Sequence, residues 1–191
     1  MDSVAPQSPE ALRHLIRSIN STVFRDENGE VEYFGQKVVM LRRDVFAVIR
    51  KELMRVAGNA ANVILAIAGQ RVGAEEGSAL MAKAERLGLR NPDSLPSFIG
   101  AVVEQTNMGY GKAKVQELNM AAPRVQVMVM NSFESEPSNG VPSASPSCFF
   151  LLGYLEGLFS QLLGKQMKGS ETACRTKGDH FCKFQLAQRP S

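Results

Sequence analysis

Two cysteines on opposite arms of a tight turn constrain the C-terminal part of this chain more than any other feature. Cys174 and Cys182 flank Lys177-Gly178-Asp179, a turn signal in which glycine can adopt a positive φ. The flanking residues suggest a β-hairpin, in which Cβ atoms on opposite strands lie roughly 4.5–5.5 Å apart. Two thiols at that separation can share a metal ion, form a disulfide or remain as buried free thiols.

Two further residues extend the pair to four candidate metal ligands. Glu171 precedes Cys174 by three residues, and Cys148 begins an apolar segment, 148–164, that we interpret as a largely buried helix. Three cysteines and one glutamate supply the four anionic ligands expected of a structural zinc site. A carboxylate among thiolates at a single-ion site favours zinc over iron.

Hydrophobic periodicity predicts a mixture of helices and strands along the rest of the chain. Helices are expected over 8–19, 44–56, 59–70, 74–87, from 93 or 94 past 103, and over 148–164. Strands are expected on either side of a turn at 26–29, and over 37–42, 111–118, 124–133 and the two arms of the hairpin at 165–186. Methionines alternate with valines near the end of 124–133, so both faces of that strand are expected to be buried. Gly153 and Gly157, four residues apart, would let another backbone approach the long helix closely.

The C-terminal motif resembles the signature of the vinyl-4-reductase (V4R) domain family. The residues that carry the resemblance are Cys148, Gly153, Tyr154, Gly164, Glu171, Cys174, Gly178, Asp179, Phe181, Cys182 and Phe184. The family includes sensor domains of phenol-responsive bacterial activators, stand-alone archaeal proteins and an accessory protein of bacteriochlorophyll synthesis. In the aromatic sensors of the family, three cysteines and one glutamate at similar spacings hold a zinc ion.

The resemblance implies an α/β (α+β) fold with an antiparallel sheet packed against helices, as in TRAPP-type tethering subunits and nitric-oxide sensors. It also implies a homodimer. Residues 36–187 would form the ligand-binding domain with its zinc hairpin, and residues 1–35, a helix and a hairpin, would contribute to dimerisation.

An apolar ligand pocket is expected between the sheet and the long helix. The candidate lining residues are Val125, Val127 and Val129 on a strand, Leu151, Leu152, Leu155 and Leu158 on the helix, and Phe98, Tyr110 and Phe133 nearby. The same residues would also make an ordinary core. The Ser- and Pro-rich loop 134–147 joins the strand to the helix and is expected to gate the pocket, with Tyr110 or Tyr154 as a polar anchor.

One departure from the family bears on the ligand. The phenol sensors recognise the hydroxyl with a histidine and a tryptophan, whereas this chain has no tryptophan and only two histidines, His14 and His180. A larger or more apolar ligand, such as a lipid or a tetrapyrrole, therefore fits the chain better than a phenol.

Charge and motifs narrow the class of function. A net charge of +3 is too mild to indicate direct nucleic-acid binding. With no secretory signal and no long apolar run, a cytoplasmic protein without a membrane span is expected. No nucleotide fingerprint or catalytic histidine arrangement indicates an enzyme. The sequence favours a non-catalytic sensor or carrier of a hydrophobic molecule. The alternatives are an accessory protein of tetrapyrrole or bacteriochlorophyll synthesis and an interaction scaffold.

Overall fold

The computed structural model describes residues 23–25, 28–33, 36–105, 109–135 and 145–190. The helix expected over 8–19 and most of the loop expected to act as a gate lie outside these ranges. Within them the helices are α1 (Arg43–Ala57), α2 (Ala60–Arg86), α3 (Leu95–Gln105) and α4 (Phe149–Leu163). The strands are β1 (Val23–Arg25), β2 (Val31–Tyr33), β3 (Gln36–Val38), β4 (Lys112–Asn119), β5 (Arg124–Met130), β6 (Met167–Ala173) and β7 (Cys182–Gln188).

The strands form two antiparallel sheets, a small one and a four-stranded one. The small sheet has the order β1-β2-β3 and includes the hairpin expected around the turn at 26–29. The larger sheet has the order β4-β5-β7-β6, with Val129 of β5 paired to Cys182 of β7. The predicted α/β (α+β) architecture, an antiparallel sheet packed with helices, is therefore confirmed. Over the described ranges, no helix combines the length and apolarity needed to cross a bilayer.

Helix α4 lies at the centre of the fold. Most of its residues are apolar, and a helix that is apolar on nearly all sides must be enclosed by other elements. It packs with α2, α3 and the inner face of the four-stranded sheet in one hydrophobic core. The helix is capped at its C-terminal end by Gly164, which adopts a left-handed conformation with φ 61° and leads the chain into the C-terminal hairpin.

Helices α2 and α4 approach each other closely through glycines. A Cβ atom at Gly153 would lie 2.1 Å from the carbonyl oxygen of Ala66, and one at Gly157 would lie 2.0 Å from that of Gln70. Real side chains do not tolerate such distances, so the close approach predicted for these two glycines is confirmed. Gly73 of α2 has the same role from the other side, since its Cβ would lie 2.0 Å from the carbonyl oxygen of Tyr154.

Several predicted boundaries are wrong. The two helices expected over 59–70 and 74–87 are one continuous helix, because Gly73 is a packing contact there and does not break the helix. The strand expected over 37–42 ends at Val38. Asn91, and not Asp93 or Ser94, caps the turn before α3, since its Oδ1 accepts the backbone N–H of Ser94 at 2.9 Å.

Strand β5 differs from the prediction in its burial. Its inner residues are buried, but Met128 and Met130 on the opposite face are only half-buried. One face of this strand therefore belongs to the core, and the other lies at the outer surface of the sheet.

Candidate metal centre

The four predicted ligands come together at one end of the sheet. One ligand atom from each of Cys148, Glu171, Cys174 and Cys182 lies within 4.8 Å of the others. The Sγ atom of Cys148 is 3.6 Å from that of Cys182 and 3.9 Å from that of Cys174, and the remaining Sγ pair is 4.0 Å apart. All three cysteines are buried free thiols, so the alternative disulfide is not formed.

These separations fit a tetrahedral metal. With a Zn–S bond of about 2.3 Å, tetrahedral geometry places two sulfur ligands about 3.8 Å apart. The three sulfurs already stand near that distance, so a metal could bind with little rearrangement.

Local structure explains how each ligand is placed. Cys148 directly precedes α4, and Cys182 opens β7. Cys174 follows β6, whose register shifts between Glu171 and Ala173, an irregularity that re-aims side chains at a strand end. The carboxylate of Asp179 accepts the backbone N–H of Cys174 at 2.8 Å and fixes the turn.

The Glu171 carboxylate has one oxygen that its described surroundings leave without a hydrogen-bond partner. Its Oε2 accepts the backbone N–H of Cys148 at 3.0 Å. Its Oε1 is buried and has no hydrogen-bond partner among the residues that the structure describes. Because a buried carboxylate oxygen without a partner is costly, a metal ion at this position would satisfy it.

Proton binding in the cluster is also perturbed. Burial raises the pKa of the Glu171 carboxyl to about 8. Hydrogen bonds with Cys148 and Cys182 hold the pKa of the Cys174 thiol below its ordinary value. Hydrogen bonds with Cys174 and Cys182 raise the pKa of the Cys148 thiol. The cluster thus retains protons that a metal would displace, so metal binding is coupled to proton release.

Three hydroxyl groups surround the sulfurs. Ser132 Oγ is 3.6 Å from Cys148 Sγ, and Thr176 Oγ1 is 3.0 Å from Cys174 Sγ. Thr176 also donates to Ser147 Oγ at 3.1 Å. Such outer partners orient metal ligands. Sequence analysis missed them, although Ser147 and Thr176 each lie within two positions of a ligand cysteine.

A second carboxylate, Glu134, binds the N-terminus of α4 beside Cys148. Its oxygens accept the backbone N–H groups of Phe150 and Leu151, each at 2.9 Å. This satisfies donors that a helix N-terminus leaves unpaired. Burial raises the pKa of Glu134 to about 7, although these hydrogen bonds oppose the shift. Sequence analysis placed this residue in a loop and assigned it no role.

The raised pKa of Glu134 predicts a pH dependence of stability. Between about 4.5 and about 7 the folded protein keeps a proton that the unfolded chain has released. The contribution of Glu134 to the unfolding free energy should therefore fall as pH rises through this window. In Glu134→Gln that contribution is absent. Urea unfolding of both proteins at constant zinc content should show the parent losing stability relative to the variant over this range. Parallel curves would contradict the assignment.

The residues predicted to line a pocket meet in the core. Those on β5, Val125, Val127 and Val129, are buried, as are Phe98, Leu151, Leu155 and Leu158, while Leu152 and Tyr110 pack against this core half-buried. Val125 also borders an open groove of about 560 Å³ whose lining includes the charged residues Glu117, Arg124 and Lys168.

Tyr110 and Phe133 belong to a cluster of aromatic rings next to the core. Their ring centroids are 5.1 Å apart, and both rings contact Phe150. The Tyr154 ring packs on Tyr110 at 5.2 Å, and its hydroxyl donates to the Glu76 carboxylate at 2.7 Å. The hydroxyl of Tyr154, which was predicted to anchor a ligand, is thus hydrogen-bonded to Glu76 in this structure.

A known protein family matches the region of the chain that contains the candidate metal centre. Residues 128–188, which include all four candidate ligands, match the V4R domain. The resemblance to the V4R domain family is confirmed. A curated relative is the phenol regulator MopR of Acinetobacter guillouiae, 25% identical over 174 residues. The match covers 87% of this chain but only 30% of MopR.

Solved structures show the fold beyond the V4R region. The sensory domain of the phenol-responsive transcription activator PoxR, solved with phenol, has a TM-score of 0.76 at 18% identity and covers 93% of this chain and 90% of its own. A trafficking protein particle complex subunit 3 from Naegleria fowleri, covalently bound to palmitic acid, has a TM-score of 0.56 at 12% identity and covers 78% and 93%. The predicted likeness to TRAPP-type subunits is therefore confirmed for the fold.

Proposed function

We propose that this chain is a non-catalytic sensor or carrier domain that binds a small apolar molecule and is stabilised by one zinc ion. The observation that carries the proposal is the buried four-ligand cluster in a fold that matches the PoxR sensory domain closely. The cytoplasm suits this function, because its reducing conditions keep thiols available for a metal.

The zinc would be held by Cys148, Glu171, Cys174 and Cys182. Four protein ligands complete a tetrahedral shell, which leaves no position for a reactive water and favours a structural role. The orphaned Glu171 oxygen and the spacing of the three sulfurs support this assignment.

The ligand would lie among the apolar side chains between β5 and α4, with Val127 and Leu158 at its centre. The PoxR sensory domain was solved with phenol and the TRAPP subunit covalently bound to palmitic acid, so the fold accommodates small aromatic and lipid-like molecules. The chain has no tryptophan, and its His180 is exposed on the hairpin turn. We therefore favour a lipid-like or tetrapyrrole-like ligand over a phenol.

We further propose that the chain is a homodimer. Large apolar side chains are exposed after the small sheet and along α1 and α2. They include Val39, Met40, Leu41, Val48, Ile49, Val56, Val63, Ile64, Ile67 and Val72. Large apolar side chains exposed in such number on neighbouring elements are typical of protein interfaces, so they support the dimer and also favour an interaction scaffold as the second candidate function.

Native mass spectrometry of the purified protein tests these proposals together. We expect one zinc per chain, twice the chain mass of 20.8 kDa, and an additional mass from a co-purified apolar molecule. A monomeric, metal-free and ligand-free species that takes up no added zinc would refute the sensor proposal.

Replacing Val127 by tryptophan should abolish ligand binding. The side chain is fully buried on the inner face of β5, so a larger ring would occupy the space proposed for the ligand. Binding of a fluorescent hydrophobic probe measures the effect, and zinc content should stay unchanged. Gln126→Trp is the matched control, because the neighbouring residue faces the outer side of the sheet. Equal probe binding by Val127→Trp and the parent would place the pocket elsewhere.

A further inference from the structure

Helix α1 is docked on the turn 131–135 through one of its faces. Arg43 Nη2 donates to the backbone carbonyls of Asn131 and Ser132 at 3.2 and 3.1 Å. About two turns later, Arg50 Nη1 donates to the carbonyl of Glu134 at 3.3 Å. The spacing of the two arginines places them on the same face of the helix.

An aromatic side chain completes this face between the two arginines. The ring of Phe46 packs edge-on against Phe133 at 4.5 Å and against Phe150 at 5.8 Å. No residue of α1 is buried, and its other side exposes Val48, Ile49 and Val56. Besides packing next to α2, α1 is held by this short turn, which offers three carbonyl oxygens to the two arginines.

That turn is connected to the metal centre. Ser132 Oγ lies 3.6 Å from the Sγ of Cys148, and the Glu134 carboxylate binds the first turn of α4, which begins next to Cys148. Asn131 has a φ of 54°, in the left-handed region that asparagine adopts more readily than most other non-glycine residues. The same few residues thus contact α1 on one side and a metal ligand on the other.

We propose that α1 is a movable arm whose docking on the turn 131–135 is coupled to the occupancy of the metal centre. A metal bound to Cys148 holds the sulfur against Ser132 and keeps the turn in the shape that Arg43 and Arg50 recognise. Without the metal the turn relaxes and α1 is released. Coupling is reciprocal, so a docked α1 also slows the loss of the metal. The inference rests on the zinc proposal.

Hydrogen–deuterium exchange on the zinc-loaded protein tests the coupling. Ser132→Ala removes the hydroxyl beside Cys148 but leaves all four metal ligands in place. With zinc supplied at saturating concentration, we expect exchange over 43–57 to increase about fivefold or more in the variant, while exchange in the core of α2 stays unchanged. Equal exchange of α1 in the variant and the parent would overturn the proposal.

The reciprocal effect is measured by zinc transfer to a coloured chelator. Arg43→Ala/Arg50→Ala should release zinc about fivefold faster or more than the parent. Arg55→Ala is the matched control, because Arg55 pairs with Glu52 of its own helix at 2.6 Å and should release zinc at the parental rate. Parental release from the double variant would also overturn the coupling. Should that variant not fold, the Ser132→Ala result decides.

Zinc stoichiometry, read in the same samples, separates the two proposals. If the parent binds zinc but α1 does not respond, the coupling fails and the zinc assignment stands. If the parent binds no added zinc, both fail.

Discussion

Replacing Cys174 by alanine should abolish the proposed zinc binding and lower the unfolding free energy by about 5 kcal/mol or more, comparable to the whole stability of many domains. The thiol is fully buried between the two other sulfurs and is the cysteine whose ionised form its neighbours favour most. Without it, three of the proposed ligands remain, and the buried Glu171 oxygen keeps no partner to satisfy it. Elemental analysis and urea unfolding measure the two effects.

Two variants serve as references for Cys174→Ala. His180→Ala changes an exposed residue of the same turn and should keep both the zinc and the stability of the parent. Glu171→Gln should have an intermediate effect, because a neutral amide can still reach the metal but is a poorer ligand. A full equivalent of zinc in Cys174→Ala would contradict the assigned ligand set.

Replacing Gly73 by alanine should destabilise the fold by about 3 kcal/mol, the upper end of ordinary overpacking effects. The added Cβ would lie 2.0 Å from the carbonyl oxygen of Tyr154 and 2.9 Å from the backbone nitrogen of Leu158. Both atoms belong to the backbone of α4, so no side chain can move aside and the two helices must separate. For a chain of this length the melting temperature should fall by about 6–12 °C.

Gly100→Ala is the matched control for Gly73→Ala. Gly100 also lies inside a helix, α3, but a Cβ there would meet no atom within 4 Å. Alanine is the better helix former, so this variant should match or exceed the parent's stability by up to about 1 kcal/mol. Similar melting temperatures for the two variants would show that the contact between α2 and α4 does not limit stability.

Helix packing shows how far sequence analysis could go. The spacing of Gly153 and Gly157 predicted a close contact for α4 but did not identify its partner. On the partner helix, sequence analysis expected two helices, over 59–70 and 74–87, with Gly73, a poor helix former, between them. Only the packed structure shows that this glycine lies opposite Tyr154 and that α2 continues through it.

The sequence by itself determined the four candidate ligands, the hairpin that carries three of them and the apolar character of α4. These features depend on spacing within about 35 residues, where turn chemistry and side-chain periodicity act locally. The tertiary structure decided what surrounds the ligands. Ser132, Glu134 and the arginines of α1 had no recognisable signal, because Arg43 and Arg50 contact a turn that lies 84–89 residues away along the chain. Such contacts arise only when separate elements pack together, and no local pattern in the sequence specifies them.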